Sequence, residues 1–338
     1  MTTLLLVLVV VLAIAMAYMN GFHDASNAVT TTITTRTLPE STALTLAAIL
    51  NLLGALLGMM LIAVATPWAL QLLGMTPLTQ ETSGQPDVLG LALIAIMLTT
   101  IGWDLLTWWM GMPSSTWHAF FGSTLGVSLA IGAPAAWERL GVMLGVSLVG
   151  PVLSATIAYL LMQLVLGLGR HEWLGRRHLR FAQTVSAGAV ATGHGLTDSR
   201  LPLAVIVIAF ATTGSSPSYT AAIMVAVAVA IGLGTLVGGH RIIRVLGRHL
   251  TDLNVAQGLA AEASAAATMS LGLFGFGSPV STSHALASSV VGAGVAQGMR
   301  NVRWQVAGKI LLIWLATPLA CAVVGAALVG TMLAMTSP

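Results

Sequence analysis

The sequence predicts an all-α, polytopic membrane protein whose two halves form an inverted repeat, and three observations carry this prediction. First, 57% of the 338 residues are hydrophobic and only 7% are charged, whereas a soluble domain has about 25% charged residues. Second, many apolar stretches reach the roughly 20 residues that a membrane-spanning helix needs. Third, a motif of nine residues occurs twice, once in each half of the chain.

Apolar stretches follow one another with short connections, so a single membrane domain is expected over residues 1–338, without a soluble domain. The stretches are 2–19, 42–66, 88–110, 115–133, 139–169, 180–196, 199–213, 218–238, 253–276, 281–299 and 304–334. They lack the period-two alternation of barrel strands, so we expect helices throughout. Two shorter segments, near 24–36 and 194–200, are polar, and we expect each to interrupt a helix.

The charges of the connections predict the orientation. Basic residues are concentrated in the connections 170–180, 240–252 and 300–303, which the positive-inside rule places in the cytoplasm. Two other connections, 67–87 and 214–218, contain neither Lys nor Arg. We therefore expect both to lie on the outer side of the membrane, opposite the cytoplasm.

This orientation divides the chain into two repeats, 1–169 and 170–338, that cross the membrane in opposite senses. Residues 2–36 are expected to form one broken crossing. Each repeat also contains a helical hairpin, over 88–133 and 253–299, that we expect to be re-entrant. Inverted repeats with broken helices are typical of secondary transporters.

The sequence itself supports the duplication. Residues 111–119 read GMPSSTWHA and residues 277–285 read GSPVSTSHA, so six of nine positions are identical at an offset of 166 residues. A weaker pair, GFHD at 21–24 and GLTD at 195–198, has a similar offset of 174 residues. The repeated motifs are therefore candidates for two related half-sites.

The nine-residue motif has the chemistry of an anion site. Its Gly and Pro interrupt one helix, and Ser115-Thr116 or Ser281-Thr282 then begin the next. A helix start offers free backbone N–H groups, hydroxyls and the positive end of the helix dipole to an anion. Alternatively, Ser and Thr only cap a turn at the surface. The repetition favours the anion site, since non-helical backbone at membrane depth must line a cavity or be buried in protein.

Four of the ten acidic residues lie within the region that is expected to cross the membrane, and they are candidate ligands of a coupling ion. They are Asp24, Asp104, Asp198 and Glu262. A charge at the bilayer centre costs about 2.5–3.5 kcal/mol on insertion scales, so such residues are functional candidates. The alternative for each is a structural hydrogen bond between helices, and it has more weight for Asp104 and Glu262, which lie outside the two polar segments.

Carboxylates repel an anion, and this conflict predicts cation coupling. A proton, a sodium ion or a divalent metal between Asp24 and Asp198 would neutralise them while the helix starts hold the anion. Arg200 follows closely and would contact either the substrate or Asp198. Four histidines at the interruptions could relay a proton, although at least two are expected to be structural. They are His23, His118, His194 and His284.

These motifs together resemble the inorganic phosphate transporter (PiT) family, particularly its bacterial low-affinity members. Residues 20–29 (NGFHDASNAV) resemble the first family signature, the two nine-residue motifs resemble its paired Pro-x-Ser-Ser/Thr-x-His motifs, and 256–284 resembles its second half. The resemblance implies about twelve membrane helices, a homodimer in the plasma (inner) membrane, and symport of phosphate with protons or sodium. It implies no cofactor, although the cargo in such members includes a neutral metal–phosphate complex.

The resemblance also implies which residues form the site. Those that would line a shared anion and cation site are Asp24, Asn27, Ser115, Thr116, Asp198, Ser281 and Thr282, and Glu262 matches an acid of the family's second half. The second signature departs from the family pattern, with Thr197 in place of Asn and Leu201 in place of Lys. Asp104 stands where the family usually has Asn, and the long central hydrophilic loop is reduced to 170–180. Phosphate and sulfate both remain open as substrates.

Two further classes compete with a carrier. An intramembrane hydrolase could use Ser281 with His284, or Ser115 with His118, since residues three apart share a helix face. A passive channel is the other. The duplication favours a carrier, because a hydrolase needs one nucleophile whereas a pseudo-symmetric carrier needs two half-sites. We therefore expect no catalytic residues, no nucleic-acid partner, and the bilayer and an inorganic anion as the partners.

Overall fold

The computed structural model describes residues 1–63, 74–169, 175–211, 220–275 and 278–336. Among these residues the only β-structure is one isolated β-bridge between Thr251 and Val302. The expected outer connection 214–218 and Gly277 of the second motif lie outside the described residues. So do parts of the connections 67–87 and 170–180.

The helices of the two halves follow one order. The first half contains α1 (Thr3–Thr34), α2 (Glu40–Ala63), α3 (Thr76–Glu81), α4 (Pro86–Met110), α5 (Thr116–Ala130) and α6 (Trp137–Gly169). The second half contains α7 (Arg176–Asp198), α8 (Arg200–Ala211), α9 (Thr220–Val237), α10 (His240–Arg244), α11 (Val255–Ser270), α12 (Thr282–Val295) and α13 (Trp304–Thr336). In this order α7 and α8 correspond to α1, α9 to α2, α11 to α4, α12 to α5 and α13 to α6.

Within the described part of the chain, six helical spans are long and apolar enough to cross a membrane. A seventh is formed if α9 and α10, which meet at 46°, count as one span. The resemblance implied about twelve membrane helices. α5, α11 and α12 have only 14 to 16 residues, which suits the half-length elements of the predicted hairpins.

The prediction of an interruption near 24–36 is wrong, because α1 runs through this segment without a break to Thr34. The polar side chains of this segment are buried against other helices and form hydrogen bonds with them. They do not replace the backbone hydrogen bonds of α1, so the helix continues. Near 194–200 the predicted interruption is a single residue, and α7 and α8 together form one membrane-spanning stretch, Arg176–Ala211. α7 ends at Asp198, α8 begins at Arg200, and only Ser199 separates them.

The two halves interleave. α2 packs on α7 of the other half, and its counterpart α9 packs on α1. Likewise α5 packs on α13, and its counterpart α12 packs on α6. Neither half therefore buries its helices alone, and side chains from both halves meet at the centre of one folded unit.

Two glycines 166 residues apart allow two of these close approaches. A Cβ at Gly126 of α5 would lie 1.8 Å from the carbonyl oxygen of Ala322 in α13. A Cβ at Gly292 of α12 would lie 2.1 Å from the carbonyl oxygen of Ala155 in α6. Small residues let membrane helices pack backbone against backbone. These positions fix the depth at which the hairpin helices sit against their neighbours.

We expect Gly126→Ala and Gly292→Ala to destabilise the protein, because each added methyl would overlap a carbonyl group of the facing helix. Overpacking of this kind costs typically about 1–3 kcal/mol. The measurement is the thermal aggregation temperature of detergent-solubilised protein. Gly141→Ala in α6 is the matched control, since a Cβ there meets no atom within 4 Å. Equal stability of all three variants would contradict the close packing.

Candidate functional site

The first nine-residue motif ends one helix and starts the next, and the described part of the second motif starts α12, as the sequence predicts. Gly111 adopts the left-handed conformation (φ 70°) that ends α4, a backbone conformation that suits glycine. Ser115 is the N-cap of α5 and accepts a 3.4 Å hydrogen bond from the backbone N–H of His118. Ser281 caps α12 in the same way, with the backbone N–H of His284 at 3.4 Å. Both helices therefore begin with a buried Ser-Thr pair.

The starts of α5 and α12 meet inside the protein. The rings of His118 and His284 stack with centroids 4.6 Å apart, and His284 also lies 4.0 Å from the ring of Trp314. His118 Nε2 bonds to Ser147, whereas both ring nitrogens of His284 lack a hydrogen-bond partner. Among the described residues, neither His118 nor His284 forms a hydrogen bond with a buried acid. Their proton-relay role stays a prediction.

Asp24 of α1 is surrounded by donors. Its Oδ1 atom lies 2.9 Å from His23 Nδ1 and 2.9 Å from the side-chain nitrogen of Asn27. Ser283, in the first turn of α12, donates to the same oxygen at 3.0 Å and accepts from Asn27 at 2.8 Å. The other oxygen, Oδ2, lies 3.5 Å from His194 Nε2. The carboxyl group thus joins α1 to the start of α12 and to α7.

Asp198, the last residue of α7, has a corresponding environment. Asn20 of α1 donates to Oδ2 at 2.9 Å, and the indole N–H of Trp117 in α5 donates to Oδ1 at 3.0 Å. His194, one turn earlier in α7, places Nε2 3.3 Å from Oδ2. The other ring nitrogen of His194 is held by Asn51 at 3.1 Å.

Each of the two acids is therefore contacted by residues of the opposite half. Ser283 and Trp117 occupy equivalent positions of the two motifs, and each bonds to the acid of the opposite half. Asn20 and His194 are equivalent at the second offset, and they also contact the acid of the opposite half. The duplication thus produces one shared site rather than two separate ones.

This site has the donor set of a cation site. One ligand atom each from Asp24, His194 and Asp198 lies within 4.8 Å of the others, and all three residues are buried. Carboxylate oxygens suit hard cations, and a neutral imidazole suits transition metals. The cluster could hold a proton, a sodium ion or a divalent metal.

Asp104 of α4 contacts the start of α5 instead. Its Oδ2 atom accepts a 2.9 Å hydrogen bond from the hydroxyl of Thr116. One turn later, Thr107 bonds to His23 Nε2 at 3.1 Å and to Ser114 at 2.8 Å. The last turns of α4 therefore connect the first motif to the histidine beside Asp24.

Glu262 of α11 is buried but lies apart from the other acids. It accepts a short hydrogen bond from Thr31, which also accepts from Gln183 at 2.9 Å. Thr31 is seven residues beyond Asp24 in α1, which corresponds to about 10 Å along a helix. Glu262 therefore belongs to a second polar cluster, with no direct bond to the shared site in the described part of the chain.

Arg200 is 4% exposed, and its Nε atom lacks a partner. Among the described residues no ion pair joins it to Asp198, which was one of its two expected partners. Contact of Arg200 with the substrate stays a prediction.

Sequence reasoning missed several residues that hold the acids in place. They are Asn20, Trp117 and Ser283 at the shared site, Asn51 behind His194, and Thr31 and Gln183 beside Glu262. Asn20, Trp117 and Ser283 all lie inside the motifs that the sequence singled out. They were not identified because the two repeats have different residues at these positions. Trp117 and Ser283, for example, are chemically different donors at one equivalent position.

Comparisons with known proteins agree with this architecture. The profile of the phosphate transporter family matches the chain twice, over residues 20–174 and 168–325. A probable low-affinity inorganic phosphate transporter of Mycobacterium tuberculosis (strain H37Rv) is 36% identical over 95% of this chain and 76% of its own length. One of Bacillus subtilis is 29% identical over 96% of each chain.

The same fold occurs in a solved structure described as the sodium-dependent phosphate transporter. It matches with a TM-score of 0.78 over 99% of this chain and 100% of its own, at 20% identity. The double family match covers most of the sequence and repeats as the helices do. The chain therefore belongs to the phosphate transporter family and is a multi-pass membrane transporter, not an enzyme.

Proposed function

We propose that this protein is a secondary active transporter that carries inorganic phosphate across the plasma membrane together with a cation. The observation that carries the proposal is the shared site, in which Asp24 and Asp198 are each held by a residue of the opposite half's hairpin helix. The curated relatives described above are phosphate transporters by name, which supports phosphate as the cargo.

In this proposal the starts of α5 and α12 bind the anion. Ser115 and Ser281 use their hydroxyls to cap the helices. The hydroxyl of Thr282, which lacks a partner, and the remaining backbone donors face the substrate, whereas Thr116 lies beside it and donates its hydroxyl hydrogen to Asp104. A helix start favours negative charge through its dipole and its unpaired N–H groups. Asn27 and Arg200 complete the expected substrate contacts.

The coupling cation occupies the cluster of Asp24, His194 and Asp198. It reduces the repulsion between these carboxylates and the anion, so each ligand strengthens the binding of the other. A proton or a sodium ion serves this purpose, and a divalent ion bound to phosphate would bring the cation with the cargo. Asp104 and Glu262 are further candidates for the coupling ion.

We further propose that the repeats 1–169 and 170–338 move relative to each other and that the protein is a homodimer. Apolar windows of α6 and α13 are only 17% and 22% buried. Among the membrane spans of the described residues, these two helices offer the most exposed apolar surface for a second copy or for lipid.

Proteoliposomes with the purified protein test the function. Labelled phosphate is offered with an imposed proton gradient or sodium gradient, and accumulation driven by one of them is expected. A collapsed gradient should stop accumulation. Uptake that saturates but never exceeds equilibrium, whatever the gradient, would instead identify a passive pathway. The absence of phosphate uptake under either gradient would refute the proposal.

Asp24→Asn and Asp198→Asn are each expected to abolish phosphate accumulation. Either substitution removes a negative charge that the coupling cation needs. Breaking a buried charged network also costs about 3–5 kcal/mol of folding stability, so the folding of each variant is checked together with its uptake. Gradient-driven uptake and the size-exclusion profile of the purified variant are measured together. Glu138→Gln, at an exposed position at the start of α6, is the control and should transport normally. Near-normal uptake by either Asp variant would exclude the proposed cation site.

Ser115→Ala and Ser281→Ala are expected to raise the KM for phosphate. Loss of an N-cap hydroxyl costs about 0.5–2 kcal/mol and loosens the helix start that binds the anion. Asn254→Ala removes the cap of α11, outside the proposed substrate site, and should lower stability without changing the KM. If Asn254→Ala shifted the KM as much as the serine variants, the serines would have only a structural role.

A further inference from the structure

We propose that Asp104 makes this site select an oxyanion that carries a hydroxyl group, such as protonated phosphate, over sulfate. The inference rests on the proposed function, because it names which anion the same site accepts. It predicts that Asp104 is a specificity-determining residue whose carboxylate accepts a hydrogen bond from the P–OH group of the substrate.

The position of Asp104 is the first reason. The residue is 1% exposed, and its Oδ2 atom accepts the hydroxyl hydrogen of Thr116, the first residue of α5. Its second oxygen, Oδ1, is buried without a hydrogen-bond partner. One oxygen is thus fixed at the start of the anion-binding helix, while the other remains available beside it.

An unpaired buried acceptor needs a donor. Leaving such a group unsatisfied costs about 1–3 kcal/mol, and more for a charged group. An ionised carboxylate can only accept hydrogen bonds. The nearby hydroxyls of Thr107 and Ser114 bond to each other and to His23, so they do not serve Oδ1. A bound substrate with its own O–H group would supply the missing donor.

The opposite half-site is chemically different. The residue equivalent to Thr116 is Thr282, which is 3% exposed and whose hydroxyl lacks a partner. The residue equivalent to Asp104 is Ser270, which is exposed and bonds to the carbonyl of Ala266 in its own helix. One half-site therefore presents an unpaired acceptor, and the other presents an unpaired donor.

Only one of the two competing anions matches this pair. Near neutral pH phosphate carries at least one O–H group and several acceptor oxygens, so it can donate to Asp104 and accept from Thr282. Sulfate carries four acceptor oxygens and no hydrogen, so one of its oxygens would face Oδ1 of Asp104. Sites built to bond a substrate O–H reject the analogue without it by up to about 10⁴–10⁵-fold, and the unpaired acceptor acts against the wrong ligand.

Competition against labelled phosphate uptake in proteoliposomes tests the inference. Arsenate, which also carries an O–H group, should compete with phosphate in the wild-type protein, whereas sulfate and selenate should not. In Asp104→Asn the side chain can offer an N–H donor, so sulfate and selenate should gain at least about tenfold in competition relative to arsenate. Direct uptake of labelled sulfate should rise in parallel.

Two further variants separate selectivity from structure. Ser270→Asn changes the equivalent position outside the site and should leave the order of the four anions unchanged. Thr116→Val removes a hydroxyl but keeps Asp104, so it should weaken phosphate and arsenate binding together without admitting sulfate. A size-exclusion profile shows whether each variant is folded.

Two results would overturn the inference. One is a wild-type protein in which sulfate or selenate competes as well as arsenate, a result that does not depend on any variant. The other is a folded Asp104→Asn protein that still excludes sulfate and selenate. Wild-type phosphate uptake separates this failure from failure of the proposed function, because a protein that transports phosphate without discrimination refutes only the role of Asp104.

Discussion

The burial of two carboxylates at the centre of a membrane protein is the constraint on which the rest of the structure depends. A charge at the bilayer centre costs about 2.5–3.5 kcal/mol even on insertion scales, and a hydrogen bond to a charged group returns about 1.5–3 kcal/mol. Asp24 and Asp198 therefore each need one or two donors at least, and the helix that carries each acid supplies only part of the surrounding groups. Donors come from α1, α5 and α12, and the imidazole of His194 in α7 lies beside both acids, so both halves contribute.

This need explains why the halves interleave. Since each acid bonds to the hairpin helix of the other half, neither half can complete the site alone. The hairpin helices must also begin at the level of the acids, and the contacts at Gly126 and Gly292 hold them there against α13 and α6. Close backbone packing at these two glycines therefore helps to position the polar groups. A residue with a side chain at either glycine would displace the helix that carries a half-site.

Much of this arrangement can be predicted from the sequence, because the repeated motif has a local physical meaning. The Pro and Gly that end a helix, and the Ser that caps the next, act within a few residues, so the starts of α5 and α12 were predictable. The charge of Asp24 and Asp198 in apolar surroundings marked them for the same local reason. The continuity of α1 was not predictable, because polar residues signal either a break or a buried polar surface.

The partners of the acids could not be predicted for a different reason. Which donor reaches which carboxyl depends on how helices far apart in sequence pack, and periodicity contains no information about that pairing. The side chain of Trp117 is largely apolar, yet its indole N–H is the donor to Asp198. Similarly, Glu262 was grouped with the other acids, whereas its bond is to Thr31, about two turns of α1 away from Asp24.

Pseudo-symmetry constrains the positions that act across the two halves and leaves their surroundings free to differ. The equivalent residues Ser283 and Trp117 must both donate, since each supports an acid of the opposite half. Glu262, by contrast, corresponds to Ile96, which is fully buried in the apolar core, and Asp104 corresponds to the exposed Ser270. The matched pairs of residues account for the shared site between the halves. Asp104 and Glu262 have no acidic counterpart in the other half, so cation coupling and anion selectivity can be set at these two positions without changing the shared site.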